Sequence, residues 1–395
     1  MFKTASSYLR QTAPTCSIVS WSLNRAVERA MGQVKLGQEY SLPDFFADTE
    51  PNQFAPWPTH EKLAFGKDMI PTLVRLLNVS RREKPVLQLL RSLEHLLSDP
   101  EHCVVALQLD VLKALTSLIL QKSSAIQLWV MACLRVIAGN PHGKMEIVKR
   151  SIILTAIINN FNAADRDLRQ MAYTIMHRLS ENWFVVDELQ KEDCIQLVLK
   201  SIFSISSDDV VENRKSLVCL LQTLGNLIDY KNGVLKAIRY DLFELRWLLS
   251  CGMRDVEEAT LNVFVRVSKD EVGRLGIRYK HVGKMMLSHF YGVVDEGGDP
   301  TLVGTMLMFS TLPNNERDDY NKMNTVSAVM EVFKEPTLSN VSRLVLLKLL
   351  TNLAELPIGR SSIKNHLQFL ISVPICDPIV QESAETLIKK ILWTP

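Results

Sequence analysis

Between positions 89 and 97 the apolar residues fall at 89, 90, 93, 96 and 97, the spacing of a helix with one buried face. The segment is part of a longer pattern. An apolar helix, a short polar break, a short helix and a second apolar helix succeed one another over residues 89–119. The same order returns over 130–161, 172–203 and 220–249. The last core positions of the long helices read as Leu97, Ala138, Ser180, Ile228, Val267, Leu312 and Ala354, in steps of 41, 42, 48, 39, 45 and 42 residues. A final helix over 381–393 closes the series.

Periods of about 40–47 residues built from two or three helices mark armadillo and HEAT arrays. The short middle helix favours the three-helix armadillo form. The expected fold is therefore all-α, a right-handed armadillo/HEAT-type solenoid of about eight repeats. Each helix set leaves too much apolar surface to stand alone and buries it against its neighbours. Strand signals are nearly absent. The breaks carry turn residues, as in Ser98-Asp99-Pro100 and Gly139-Asn140-Pro141, where Pro stops one helix or opens the next. The strongest loop signal is VDEGGDP at 294–300, a candidate hinge between two repeats.

Composition bounds the picture further. Of the 395 residues, 47% are hydrophobic and 22% charged, which suits a core-forming chain rather than a disordered one. Lys and Arg number 45 against 43 Asp and Glu, a formal net charge of +2, so nothing calls for nucleic acid. No apolar run approaches the roughly 18 residues that span a bilayer. Seven dispersed cysteines, with no C-x-x-C pair, are expected as reduced core thiols. Residues 1–60 lie outside the period and form a Pro-rich, poorly structured extension, with Pro43, Pro51, Pro56 and Pro58 opposing regular helix. The array is expected over 61–395. Lys3, Arg10 and Arg25 precede the first acid, Glu28, which is also the composition of a mitochondrial transit peptide.

Signatures of chemistry are missing. The eight histidines form no H-E-x-x-H, and His60-Glu61 lacks a second histidine. Gly273-Arg274-Leu275-Gly276 carries the G-x-x-G of a KH loop without its strands, and is read as a helix break. No G-x-S-x-G and no phosphate loop occurs. No catalytic residue, metal, cofactor or small-molecule substrate is expected. A repeat array offers instead a long concave surface for proteins. Nuclear import adaptors of this architecture line it with Trp and, four residues later, Asn. Here the Asn-equivalent positions hold His95, Val136, Arg178, Asn226, Val265, Ser310 and Asn352. The Trp-equivalent positions hold Arg91, Ala132, Thr174, Gln222, Leu261, Met306 and Lys348. No Trp survives, which removes the import-adaptor reading. The candidate protein-binding residues are Arg91, His95, Arg178, Gln222, Asn226, Lys348 and Asn352, a mildly basic face suited to an acidic segment. Trp129, Trp183 and Trp247 are expected to fill gaps between stacked repeats.

A narrower likeness runs through Ala64-Phe65-Gly66-Lys67, Pro71 and Leu77, then Leu97-Ser98-Asp99-Pro100-Glu101, Ala106-Leu107 and Leu112-Lys113. It returns at Ser342-Arg343-Leu344, Leu353-Ala354-Glu355, Pro357, Gly359-Arg360, His366, Phe369 and the closing Ile391-Leu392-Trp393-Thr394-Pro395. In these residues the chain resembles the radial spoke head protein 14 family, armadillo proteins of the ciliary and flagellar axoneme. The likeness covers about 61–395. Over 205–335 it rests on the repeats alone, and 1–60 has no counterpart. It implies a non-enzymatic structural subunit of the radial spoke, partnered by other axonemal proteins and located in the cytoskeleton of the cilium. A general cytoplasmic adaptor with a peptide in its groove, or a mitochondrial armadillo protein with a cleaved N-terminus, fits the residues too.

Overall fold

The structure, a computed structural model, describes residues 69–393 except 122, 231, 296–298, 374 and 375. Among them there is no strand. The chain divides into two compact units, Met1–Gly143 and Lys144–Pro395. In the first, α1 (Met69–Val79) and α2 (Glu83–Leu97) lead into a triad of α3 (Pro100–Gln108), α4 (Val111–Ile119) and α5 (Ser124–Ile137). The division falls within α6 (Pro141–Val148), which continues into α7 (Ser151–Asn159) and α8 (Arg166–Ser180). Next come α9 (Trp183–Lys191), α10 (Cys194–Phe203) and α11 (Val210–Ile228). They are followed by α12 (Gly233–Arg239), a 3-10 segment (Leu242–Ser250) and α13 (Arg254–Lys269). Two more triads are α14 (Glu271–Tyr279), α15 (Val282–Asp295), α16 (Thr301–Ser310) and α17 (Asn314–Lys322), α18 (Thr325–Phe333), α19 (Asn340–Leu353). The last is α20 (Pro357–Lys364), α21 (Leu367–Ser372) and α22 (Pro378–Leu392). The fold is thus an all-α helical solenoid of short, middle and long helices in rotation.

The long helices stack in series: α2 on α5 in the first unit, and α8, α11, α13, α16, α19 and α22 in the second. Their inward positions are aliphatic and fully covered. On α5, for example, Val130, Met131, Leu134 and Ile137 are all buried. Each such side chain contributes about 1.5–3 kcal/mol on leaving water.

The joints between repeats share a chemistry that explains several short motifs. Asp99, Asn140, Asn182 and Asp270 accept from the backbone N–H two residues on, at 2.9, 2.9, 3.0 and 2.9 Å, and so cap the short helices. Gly143, Gly273 and Gly359 are the third residues of α6, α14 and α20, and each lies against a carbonyl in the last turn of the preceding long helix. A Cβ on Gly273 would overlap the Val267 carbonyl, and one on Gly276 would overlap the Phe243 ring. The Gly-Arg-Leu-Gly stretch is therefore the interior of α14, where two close approaches exclude a side chain, and no helix break occurs there. The arginines after Gly273 and Gly359 reach back. Arg274 Nη1 donates to the Ser268 and Lys269 carbonyls at 3.2 and 2.9 Å, and Arg360 Nη1 to those of Ala354 and Glu355 at 3.3 and 3.1 Å. Arg317 does the same for Thr311 and Leu312. A cation thus satisfies orphan carbonyls at the negative end of these three long helices. Between short and middle helices the chain turns through a left-handed residue: Asp110, Asp193, Asp241, His281 or Asn324, with φ of 51–61°. Those are the non-glycine types that tolerate it best.

Two further sequence expectations change. The last core position of two long helices moves by one residue from Val267 and Leu312: the buried residues in register are Ser268 and Thr311, while Leu312 is 44% exposed. Trp183 fills no gap between repeats; it is 58% exposed and stacked on Phe184, ring centroids 3.5 Å apart. The expected hinge at 294–300 lies partly outside the described residues, and its Asp299 is anchored, accepting from Thr301 N at 2.9 Å and from Ser342 Oγ on α19 at 2.8 Å. Residues 1–60, and the Ala64–Lys67 motif, lie outside the described residues.

Candidate protein-docking site

The corrected register moves two rungs of the ladder. Four residues before the caps Asp270 and Pro313 stand Arg266 in place of Val265 and Phe309 in place of Ser310. Both replaced residues are buried, Val265 at 8% and Ser310 at 1% exposure. Four residues earlier, Asn262 and Thr305 replace the buried Leu261 and Met306. Arg266 was hidden from sequence reading by that slip of one, though the Arg of a Val-Arg-Val-Ser run one repeat on from Asn226 was the available signal.

In the second unit a hollow of about 450 Å³ opens on the long-helix face. Its floor includes the small residues Gly225 and Ala259. Its rim carries Gln222 and Asn226 from α11, Asn262 and Arg266 from α13, and His177 from α8. Asp255 and Glu258 line the end nearer the start of α13. Each is engaged by its own cation: Arg214 Nε lies 2.7 Å from both Asp255 oxygens, and Arg254 Nε 3.1 Å from Glu258 Oε1. At the other end Arg266 Nη1 donates to the Gly225 carbonyl at 2.9 Å and to Asp229 Oδ2 at 3.0 Å. Asn226 Nδ2 donates to Ser180 Oγ at 3.1 Å. Burial holds the His177 imidazole below the usual histidine pKa, against the opposing pull of Glu181. Gln222 is exposed and makes no hydrogen bond among the described residues.

Of the seven residues expected to bind protein, the structure brings Gln222 and Asn226 together in this hollow. Arg178, half-buried on α8, lies beside the rim residue His177. Lys348 and Asn352 stand on α19, with Lys348 exposed and Asn352 Nδ2 committed to the Met308 carbonyl at 2.9 Å and Thr311 Oγ1 at 3.2 Å. Arg91 and His95 belong to the first unit; both are exposed, and Arg91 Cζ sits 5.0 Å from the Trp129 ring centroid. With its two carboxylates paired to arginines, the hollow presents the amides of Gln222, Asn226 and Asn262 plus one guanidinium. That set matches peptide N–H and C=O groups and a carboxylate. Among the described residues no three His, Cys, Asp or Glu side chains cluster as a metal site. Burial raises the Cys133, Cys194 and Cys219 thiols, the last two to about 12, so they stay protonated.

No family model matches the chain, and no curated protein matches it. Among solved structures it is similar to an engineered protein from the Northeast Structural Genomics Consortium. That match has 14% identity, covers 82% of this chain and 78% of that one, and has a TM-score of 0.68. A designed armadillo repeat protein aligns at 13% identity over 82% of this chain and 99% of its own, with a TM-score of 0.45. The first likeness shows the helical-repeat fold alone; the second overlay is too loose to add to it.

Proposed function

We propose that the chain is a non-enzymatic, protein-binding scaffold and serves as a structural subunit of the ciliary or flagellar radial spoke. The observation that carries the binding role is the polar hollow of about 450 Å³ on the long-helix face, with an unengaged amide at Gln222 on its rim. Such a surface suits an extended segment of another protein, whose backbone the amides can pair. The placement in the spoke is supported by the resemblance of the repeats and closing residues to the radial spoke head protein 14 family. Several of those residues meet at one joint: Arg360 caps the Ala354 carbonyl and lies over the Trp393 ring, Cζ 5.5 Å from its centroid. Expression with a C-terminal tag in a ciliated cell, followed by detergent extraction of axonemes, tests the placement. Retention in the axoneme together with spoke proteins is expected. Release into the soluble fraction favours a cytoplasmic adaptor, and a mitochondrial signal with a shortened N-terminus favours the processed alternative; either result ends the spoke reading.

A further inference from the structure

We propose that Arg266 is the anchor of the groove and takes a carboxylate, an Asp or Glu side chain, from an extended segment of the partner. The proposal rests on the protein-binding reading and names the chemistry of the segment. Arg266 is already fixed before any partner arrives. Its Nη1 is held by the Gly225 carbonyl and Asp229 Oδ2, and its shaft lies over Gly225, where a Cβ would come within 3.3 Å of Nε. Its Nε and Nη2 make no hydrogen bond among the described residues, and the side chain is 30% exposed. These two N–H groups form the side-on fork that receives a carboxylate through two parallel bonds. Arg266 lines both the 450 Å³ hollow and a second hollow of about 340 Å³ beside the last turn of α11.

The charges around Arg266 balance, with Arg266 and Lys269 beside Asp229 and Asp270, so it is the unbonded guanidinium edge that selects a carboxylate. Lys269 stands 3.9 Å from Asp229 Oδ1, so two cations share one carboxylate. The acids of the hollow, Asp255 and Glu258, lie eight or more residues nearer the start of α13. That is about 12 Å or more along the helix, beyond a screening length of about 8 Å, and both are paired with arginines. Ala259 and Gly225 keep the floor low enough for a side chain to enter. Asn262 Nδ2 donates to the Glu258 carbonyl of its own helix, leaving its Oδ1 to accept a partner N–H, and Gln222 supplies a free amide beside it.

The test is fluorescence anisotropy with the full-length chain at low salt, using labelled peptides of one Ser/Thr-rich framework that differ only in a central Glu, Gln or Lys. The Glu peptide should bind, and the Gln and Lys peptides should bind more weakly. Arg266→Gln should weaken the Glu peptide by about tenfold or more, since both charge-assisted hydrogen bonds of the fork are lost. Because that variant also loosens the α11–α13 contact, Asp229→Asn supplies the complementary measurement. It removes the carboxylate that competes for Arg266 and should tighten the Glu peptide. Equal binding of all three peptides, each weakened by Gln222→Ala, would overturn the anchor and leave the groove in place. Binding of none would overturn both, as would an Asp229→Asn variant that binds the Glu peptide no better combined with Gln222→Ala variants that bind it unchanged.

Discussion

Asn352 Nδ2 donates to the Met308 carbonyl at 2.9 Å, joining the long helix of one repeat to the last turn of the one before it. An amide that sequence spacing assigned to a ligand is engaged in holding the array together. Asn352→Ala should lower unfolding free energy by about 1 kcal/mol, leaving one carbonyl less well satisfied. Its neighbour Lys348 is exposed and free of such duty, and Lys348→Ala should change stability by less than about 0.5 kcal/mol. Urea titration followed by circular dichroism separates the two; equal effects would remove the clasp.

The glycine at the third position of a short helix is a packing requirement. Gly273→Ala should cost about 1–3 kcal/mol, because the added methyl meets a backbone carbonyl that has nowhere to move. Gly252 has φ of +75° and open space around it, so Gly252→Ala should cost about 1–2 kcal/mol by backbone strain alone. Pairing Gly273→Ala with Val267→Ala, whose side chain also crowds the site, should recover none of the carbonyl overlap. Full recovery in calorimetry would refute the backbone origin.

His177 gives the stability a pH slope. Its folded pKa lies below the unfolded value, so the unfolded chain binds more protons and acid favours unfolding. The stabilising contribution is complete above the unfolded pKa of about 6.5 and is lost as pH falls through the folded value. Glu181, Lys144 and Arg178 face the ring, and of these Glu181 opposes the shift. The stability difference between the native chain and His177→Gln should therefore shrink from pH 7.5 to pH 5.5. A difference that grows on acidification would reverse the assignment.

Thiol chemistry should follow burial. Cys376 is exposed, whereas Cys133 and Cys194 are buried and Cys219 is held protonated. Iodoacetamide labelling of the folded chain, mapped by mass spectrometry, should mark Cys376 within minutes. The other three should react only in denaturant. Labelling of Cys133 in the native protein would contradict the packing of α5 on α2.

The period, helix class and stacking were legible because aliphatic residues recur at helical spacing in every repeat. The register failed in two repeats for a physical reason. Ser268 and Thr311 are buried hydroxyls that donate to carbonyls three residues back, at 2.7 and 2.9 Å, and so need no other partner. An apolar pattern assigns the helix end to the nearest aliphatic instead, Val267 or Leu312. Arg266 was lost from the candidate site by the same slip. Sequence spacing placed Gln222 and Asn226 on one face, but it could not tell that Asn226 and Asn352 would grip the preceding helix. That distinction depends on which carbonyls and hydroxyls the neighbouring repeat presents.

The grips of Asn226, Arg266 and Asn352 on the preceding long helix, and of Lys390 on Glu355 just past it, recur through the second unit, each between neighbours only. Under load they act as links in series. A pull along the stack is borne by every joint at once, and the joint with the weakest side-chain grip opens first while the others hold. Each joint also recloses on its own, since its partners stay on adjacent helices. The second unit is thereby a spring of graded compliance, stiffer where an arginine–carboxylate pair closes the joint and softer where a lone amide does.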